Sequence, residues 1–169
     1  MVSVDHRLAG FLAAEHLISH GCQRIFFLAP PLSASSVDAR IAGFREALLS
    51  RDMAVTPQLV WRIDPSQMQS VMDAKPDGVV AANDRTAAKV MQSVLQLGMR
   101  VPSDLRIIGI DDLDYAALLP SPLTTVRQPC RAIGQAALLT IQERIANPAL
   151  PAREILLDCS LVLRRSCGC

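Results

Sequence analysis

Polar side chains follow each of four short apolar segments of the sequence. In chain order these side chains are Ser33, Ser35, Ser36 and Arg40; Asp64; Asn83 and Asp84; and Asp111 and Asp112. An arginine donates a rigid fork of hydrogen bonds, an asparagine donates and accepts, and a carboxylate only accepts. Together they suit a ligand rich in hydroxyl groups, such as a sugar. The alternative is helix capping, because Asn and Asp are favoured at helix N-termini.

The elements that must position these residues alternate regularly between helix and strand. Helical spacing predicts helices over 5–21, 37–50, 65–74, 83–98 and 130–146, and short apolar runs predict strands over 24–29, 58–63, 78–82 and 105–110. Near-continuous apolar strands joined by crossover helices are typical of a parallel sheet covered on both faces. We therefore expect a doubly wound α/β fold, with the polar residues at the carboxyl ends of its strands, where such sheets bind ligands.

The segment "PSPLTTVRQP", residues 120–129, has a strand-like centre between prolines. Proline has no backbone N–H to donate, so the hydrogen-bond ladder of a β-sheet does not continue through it. We interpret the segment as a crossing from one folded unit to another.

Composition indicates a soluble globular protein and excludes several classes. The 169 residues are 50% hydrophobic with a mean hydropathy of +0.27, which is enough for a sizeable core. No apolar run is long enough to span a bilayer, and the first twenty residues do not form a signal peptide. Five scattered cysteines are read as reduced, so we expect a cytoplasmic protein. The net charge of +1, with no basic cluster longer than Arg164–Arg165, argues against direct DNA binding.

Candidate catalytic and metal chemistry is weak. His16 and His20 have helical i, i+4 spacing but no third ligand at a defined spacing. The pair Asp111–Asp112 lacks the glycine-rich phosphate loop that would accompany it in a phosphoryl-transfer site. Ser35 and Ser36 lack a plausibly placed histidine. We therefore expect no enzyme, no metal and no cofactor.

Three blocks of the sequence carry a family resemblance. They are "RIFFLAPPLSASSVDARIAGFREAL", "PDGVVAANDRTAAKVMQSVLQLGMRVPSDLRIIGIDD" and "PSPLTTVRQPCRAIGQAAL" through "LVLRRS". From about Val4 to Ser166 the chain resembles the effector-binding domain of the LacI/GalR family of transcriptional repressors. The resemblance implies two lobes like those of a periplasmic sugar-binding protein, which close on a small effector, and a homodimer. It also implies an N-terminal headpiece for operator DNA, which, like most of the first lobe, has no counterpart here, so we expect a fragment.

The resemblance also assigns roles to residues. Arg40 in "ARIAGF", Asn83 in "AAND" and Asp111 in "GIDD" match effector-contacting positions, and Gln128 in "TTVRQP" matches a position at the inter-lobe cleft. With Ser36 and Asp64 from the strand ends, these form the predicted ligand site. The predicted dimer interface comprises Ala88, Met91, Leu118 and Leu119, although an apolar helical stripe more often faces its own core.

The predicted organisation has three parts. Residues 4–122 would form the C-terminal lobe, 123–150 a strand and helix of the N-terminal lobe, and 151–166 a return strand to the C-terminal lobe. The predicted function is an effector-sensing and dimerisation module of a LacI-type regulator with a sugar-like effector. A transport-type periplasmic sugar-binding protein and an α/β enzyme such as a sugar kinase or phosphatase are the alternatives.

Overall fold

The computed structural model describes residues 1–32, 34–64 and 67–168 and contains a six-stranded sheet. The elements are β1 (Val2–Val4), α1 (His6–Ser19), β2 (Ile25–Ala29), α2 (Ser35–Leu49), β3 (Val60–Arg62), α3 (Met68–Asp73), β4 (Gly78–Ala81), α4 (Asp84–Gln96), β5 (Arg106–Asp111), β6 (Thr124–Arg127), α5 (Cys130–Ala146), β7 (Ile155–Leu157) and β8 (Ser160–Val162). The sheet has the order β3-β2-β4-β5-β6-β8. All of its pairings are parallel except that of β6 with β8.

Helices cover both faces of the six-stranded sheet, which confirms the predicted doubly wound α/β class. Alternate strand residues such as Phe27, Val80 and Ile108 pack in one core cluster with the buried faces of α1 and α2. Their neighbours Phe26 and Val79 pack in a second cluster with α3 and α4. Because successive strand residues point to opposite faces, the continuous apolar runs bury both faces.

The strand predicted to leave this sheet remains in it. β6 pairs parallel with β5, from Ile108 opposite Thr124 to Asp111 opposite Arg127. Thr124, Thr125 and Val126 are fully buried. The placement of residues 123–127 in another lobe is therefore wrong, because β5 offers a free edge and the prolines lie outside the paired residues. The chain leaves the sheet only after Arg127, ahead of α5.

A separate two-stranded sheet joins the beginning and the end of the chain. β1, which was not predicted from the sequence, pairs parallel with β7 from Val2 opposite Ile155 to Val4 opposite Leu157. α5 contacts β1 and has no buried residue. We call β1, α5 and β7 the small unit. The predicted return segment 151–166 is thus divided, since β7 lies in the small unit and only β8 joins the six-stranded sheet.

The end of the described chain packs against the six-stranded sheet. A 3-10 helix spans Arg165–Cys167, and the Ser166 hydroxyl accepts a hydrogen bond from the Thr124 amide at 2.8 Å and donates to the Ile107 carbonyl at 2.6 Å. Cys167 is fully buried, and Cys169 lies outside the described residues. Cys22, Cys130 and Cys159 form no disulfide with another described residue. None of the helices in the described ranges has the length and apolar character needed to cross a membrane.

Candidate ligand-binding site

Arg40 lies among the polar residues at the carboxyl ends of the strands, at a point where α1 and α2 approach each other closely. A side chain at Gly10 of α1 would overlap the backbone carbonyl of Arg40, so glycine permits the contact. The Arg40 side chain is buried and donates to the carbonyl oxygen of Ala82, just after β4. Its second terminal nitrogen lies 3.3 Å from Asp111 Oδ1, at the end of β5. One guanidinium therefore bridges the ends of two strands.

Asp111 and Asp112 form a turn in which the two carboxylates have different partners. Asp111 has a φ of +134° and Asp112 one of +58°, both unusual for residues with a side chain. Asp111 Oδ1 accepts hydrogen bonds from Arg40 and from the Gln128 amide. The Asp112 carboxylate instead accepts from Arg127 at 2.6 Å and Arg164 at 2.7 Å. Burial acts to raise the pKa of Asp112, but these arginine bonds hold it below its usual value.

His6 joins this cluster and was not selected from the sequence. Its Nδ1 lies 3.4 Å from Arg40, and it is the first residue of α1, directly after the N-cap Asp5. Burial and then the charge of Arg40 lower the pKa of His6, so the imidazole is neutral at neutral pH. The sequence offered only a weak signal for it, because His6 directly follows the candidate N-cap Asp5 at the start of α1. We call His6, Arg40, Asp111 and Gln128 the polar cluster.

The other predicted ligand residues line two separate hollows. Asn83 caps α4 by accepting from the Thr86 amide and hydroxyl, both at 2.8 Å, as the capping alternative required. It also lines a hollow of about 320 Å³ with Asp64, Pro30, Arg85 and Lys89. Ser36 lines a hollow of about 490 Å³ together with His6. Ser33 lies outside the described residues. The structure thus joins Arg40, Asp111 and Gln128 directly, whereas Asn83, Asp64 and Ser36 line the two hollows.

The predicted dimer residues lie around an apolar groove between α4 and the 3-10 helix Asp114–Leu118. Ala88, Met91 and Leu119 line this groove, whose volume is about 770 Å³. Leu118 is 83% exposed, but Met91 is only 1% exposed and packs in the core. Met91 is therefore the floor of the groove and offers a partner little surface.

The histidine and cysteine side chains that the structure describes do not form a recognisable metal centre. The rings of His16 and His20 are 4.2 Å apart, and His16 Nε2 lies 3.3 Å from Cys167 Sγ. Within residues 1–32, 34–64 and 67–168, no group of three or more His, Cys, Asp or Glu side chains is arranged to hold a metal ion.

Comparison with known proteins identifies the family. A family model described as a periplasmic binding protein-like domain matches residues 14–167, and the chain belongs to this family. The chain is 32% identical to the ribose operon repressor of Haemophilus influenzae, covering 94% of this chain and 50% of the repressor. It is also 32% identical to the transcriptional repressor PurR of Aliivibrio salmonicida, over 93% of this chain and 50% of PurR. The chain thus spans about half the length of these relatives.

Solved structures give the same result and confirm the resemblance to LacI-type repressors. A LacI family transcriptional regulator from Enterococcus faecium with bound ribose superimposes with a TM-score of 0.89 at 29% identity, covering 98% of this chain and 64% of that one. The complex of the transcriptional regulator CelR with cellobiose superimposes with a TM-score of 0.91 at 29% identity, covering 98% of this chain and 53% of CelR.

Proposed function

We propose that the chain is the effector-sensing and dimerisation module of a LacI-type transcriptional regulator. The observation that carries the proposal is the polar cluster at the carboxyl ends of the parallel strands, where a buried arginine, a carboxylate, an amide and a neutral imidazole meet. Open parallel sheets bind ligands at this edge. The relatives, which are repressors, and the ribose and cellobiose complexes of similar regulators support this assignment.

The charge balance of the cluster favours a sugar or sugar derivative as the effector. The positive charge of Arg40 is offset by Asp111, and His6 is neutral. A ligand with full charge would upset this balance, whereas hydroxyl groups can both donate to Asp111 and accept from Gln128. The effector is therefore a neutral, hydroxyl-rich molecule.

The proposed role as an effector-sensing module also implies how the lobes, the dimer and the DNA-binding headpiece act together. The small unit belongs to the first lobe, so ligand binding between the lobes is coupled to their closure and through it to DNA affinity. Two copies associate through the α4 groove, and operator DNA is bound only through a separate headpiece. The regulator acts in the cytoplasm without a catalytic step, a cofactor or a membrane. Repressors among the relatives favour this function over a transport-type sugar-binding protein.

Nuclear magnetic resonance titration with D-ribose and with D-cellobiose tests the proposal. We expect one of these sugars to shift the signals of Arg40, Asp111 and Gln128. Arg40→Lys keeps the charge but loses the forked donors, so it should weaken binding about tenfold or more.

Arg51→Lys is the matched control, because Arg51 forms an ion pair with Glu15 away from the polar cluster. A sugar that shifts signals elsewhere, or that binds Arg40→Lys as tightly as the unchanged chain, would contradict the assignment of the site.

A further inference from the structure

Asp84 is a fully buried carboxylate that no part of the ligand site uses directly. It is the first residue of α4, and its side chain points toward β5 and β6 instead of solvent. Asp84 Oδ1 accepts from the Thr125 hydroxyl at 2.5 Å, and Oδ2 accepts from the Leu113 amide at 2.8 Å. A side chain at Gly109 would overlap Asp84 Oδ1, so glycine in β5 leaves room for the carboxylate.

We propose that Asp84 is a positioning residue that fixes the turn from Asp111 to Leu113 and so holds Asp111 against Arg40. The carboxylate reaches the turn by two routes. One is its direct bond from the Leu113 amide. The other passes through Thr125, whose hydroxyl oxygen accepts from the Asp112 amide at 3.3 Å while its hydrogen is donated to Asp84.

The backbone of the turn explains why it needs such support. Asp111 and Asp112 both have positive φ, and side chains disfavour this conformation unless the surroundings enforce it. Asp111 must also receive Arg40 and Gln128 on the same oxygen, Oδ1. A small rotation of the turn would separate Asp111 from both donors, so its position depends on the bonds to Asp84.

The burial of Asp84 supports a specific role for its charge. Both of its described partners are donors, and an ionised carboxylate is a side chain that only accepts. The pKa of Asp84 is raised overall, mainly by burial and also by the nearby Asp111 and Asp112, while the bonds from Thr125 and Leu113 favour the ionised form and oppose this rise. An acidic residue at a helix N-terminus interacts favourably with the helix dipole even when it is exposed to solvent. The dipole therefore does not explain why Asp84 is buried, whereas its contact with the turn does.

Asp84→Asn tests the proposal because it keeps the shape but turns one acceptor into a donor. The matched control is Asp77→Asn, since Asp77 also accepts two hydrogen bonds, from the Gln23 amide at 2.7 Å and the Arg24 amide at 2.9 Å. Asp77 precedes β4 and so lies at the opposite edge of the sheet from the polar cluster. Both variants lose a carboxylate that holds a loop, but only one of them holds the turn at Asp111.

The primary measurement is independent of any ligand. Arg40 Nε is buried without a hydrogen-bond partner among the described atoms, so its N–H gives a sensitive nuclear magnetic resonance signal for the Arg40–Asp111 contact. We expect Asp84→Asn, and not Asp77→Asn, to shift this signal and to speed hydrogen exchange of the Leu113 amide about tenfold or more. An unchanged Arg40 signal in folded Asp84→Asn overturns the proposal.

Thr125→Val keeps the test decisive if Asp84→Asn does not fold. This variant removes the hydroxyl route and leaves the direct bond to Leu113, so we expect a smaller shift of the same Arg40 signal. No shift in folded Thr125→Val would overturn the proposal in the same way.

A second measurement uses D-ribose as the probe and rests on the proposed function. We expect the dissociation constant to rise about tenfold in Asp84→Asn and to stay unchanged in Asp77→Asn. Equal affinity in Asp84→Asn and the unchanged chain overturns the positioning role. If the unchanged chain does not bind a sugar, the proposed function fails instead, and the Arg40 signal alone decides the role of Asp84.

Discussion

α4 and α5 both carry apolar residues at helical spacing, but their surroundings differ. α4 buries Ala87, Val90, Met91 and Val94 against the six-stranded sheet. α5 buries none of its residues, and Leu138, Leu139, Ile141 and Ile145 are 58%, 61%, 57% and 75% exposed. α4 lies on a sheet of six strands, whereas α5 lies beside a sheet of two strands of three residues each. Helical periodicity thus predicts that a helix has an apolar partner but not where the partner is.

The difference between α4 and α5 can be expressed as a free energy of burial. Burying a large aliphatic side chain is worth roughly 1.5 to 3 kcal/mol, so the four exposed residues of α5 favour association with another apolar surface. On α4 the corresponding free energy already stabilises the fold. The same type of substitution should therefore change the stability of the fold much more in α4 than in α5.

The largest expected effect is a difference in the free energy of unfolding between a variant in α4 and a variant in α5. Val94 is fully buried, so Val94→Asp should destabilise the six-stranded unit by more than about 4 kcal/mol, because an unpaired charge would enter the core. Ile141→Asp in α5 should change the same quantity by less than about 0.5 kcal/mol. Urea unfolding of the monomer, followed by fluorescence of the single tryptophan Trp61 in β3, measures both. Comparable losses in the two variants would show that α5 has a buried partner within its own chain.

The next effect concerns self-association through α5. We predict that the exposed face of α5 packs against a second copy of the chain, so Leu138→Asp combined with Ile141→Asp should shift the protein toward a monomer. Light scattering over a range of concentrations measures the shift. A strict monomer whose α5 amides are nonetheless well protected from hydrogen exchange would show that α5 folds back on its own unit.

A smaller effect is expected at the α4 groove. Ala88→Asp and Leu119→Asp each place a charge in the apolar groove and should weaken dimer formation. Leu49→Asp is the control, because Leu49 is a 63% exposed leucine at the end of α2, outside the groove. If sedimentation analysis finds the same oligomeric state in both groove variants and the control, the copies associate elsewhere.

The smallest effect is the pH dependence at His6, near the junction of the two units. Its folded pKa lies below the ordinary 6.5 because of burial and then the charge of Arg40. The unfolded chain therefore binds a proton at higher pH than the folded chain does. The contribution of His6 to stability is complete above about pH 6.5 and is lost as the pH falls toward the folded pKa.

His6→Asn should reduce this loss of stability on acidification, measured by urea unfolding at a series of pH values. A residual slope should remain, because burial and then His20 also lower the pKa of His16. The same slope in the variant and the unchanged chain would contradict the contact between His6 and Arg40. Arg40, Asp5 and Asp111 are the other charged groups near His6, and all three are present in both proteins.

Most of the six-stranded unit was predictable because its pattern is local. Continuous apolar strands and capped helices produced the α/β class and the approximate element bounds. Arg40 and Asp111 were found because strand ends of a parallel sheet converge, which spacing alone implies.

The errors arise where distant parts of the chain decide the structure. β1 has three residues and forms only because β7, more than 150 residues later, supplies its partner. β6 was misplaced because its prolines were visible in the sequence while the free edge of β5 was not. Met91 was assigned to a surface because the period of a helix does not reveal which face is buried.

The glycine contacts between α1 and α2 determine how the ligand site is prepared before binding. Gly10 meets the backbone of Arg40, and a side chain at Gly43 would likewise overlap the backbone of Arg7, so the helices interlock at two points. His6 and Arg40 are therefore held by one rigid pair of helices. The entropy of ordering them is lost when the chain folds rather than when the effector arrives, so this part of the site is preorganised and more of the interaction energy remains for affinity.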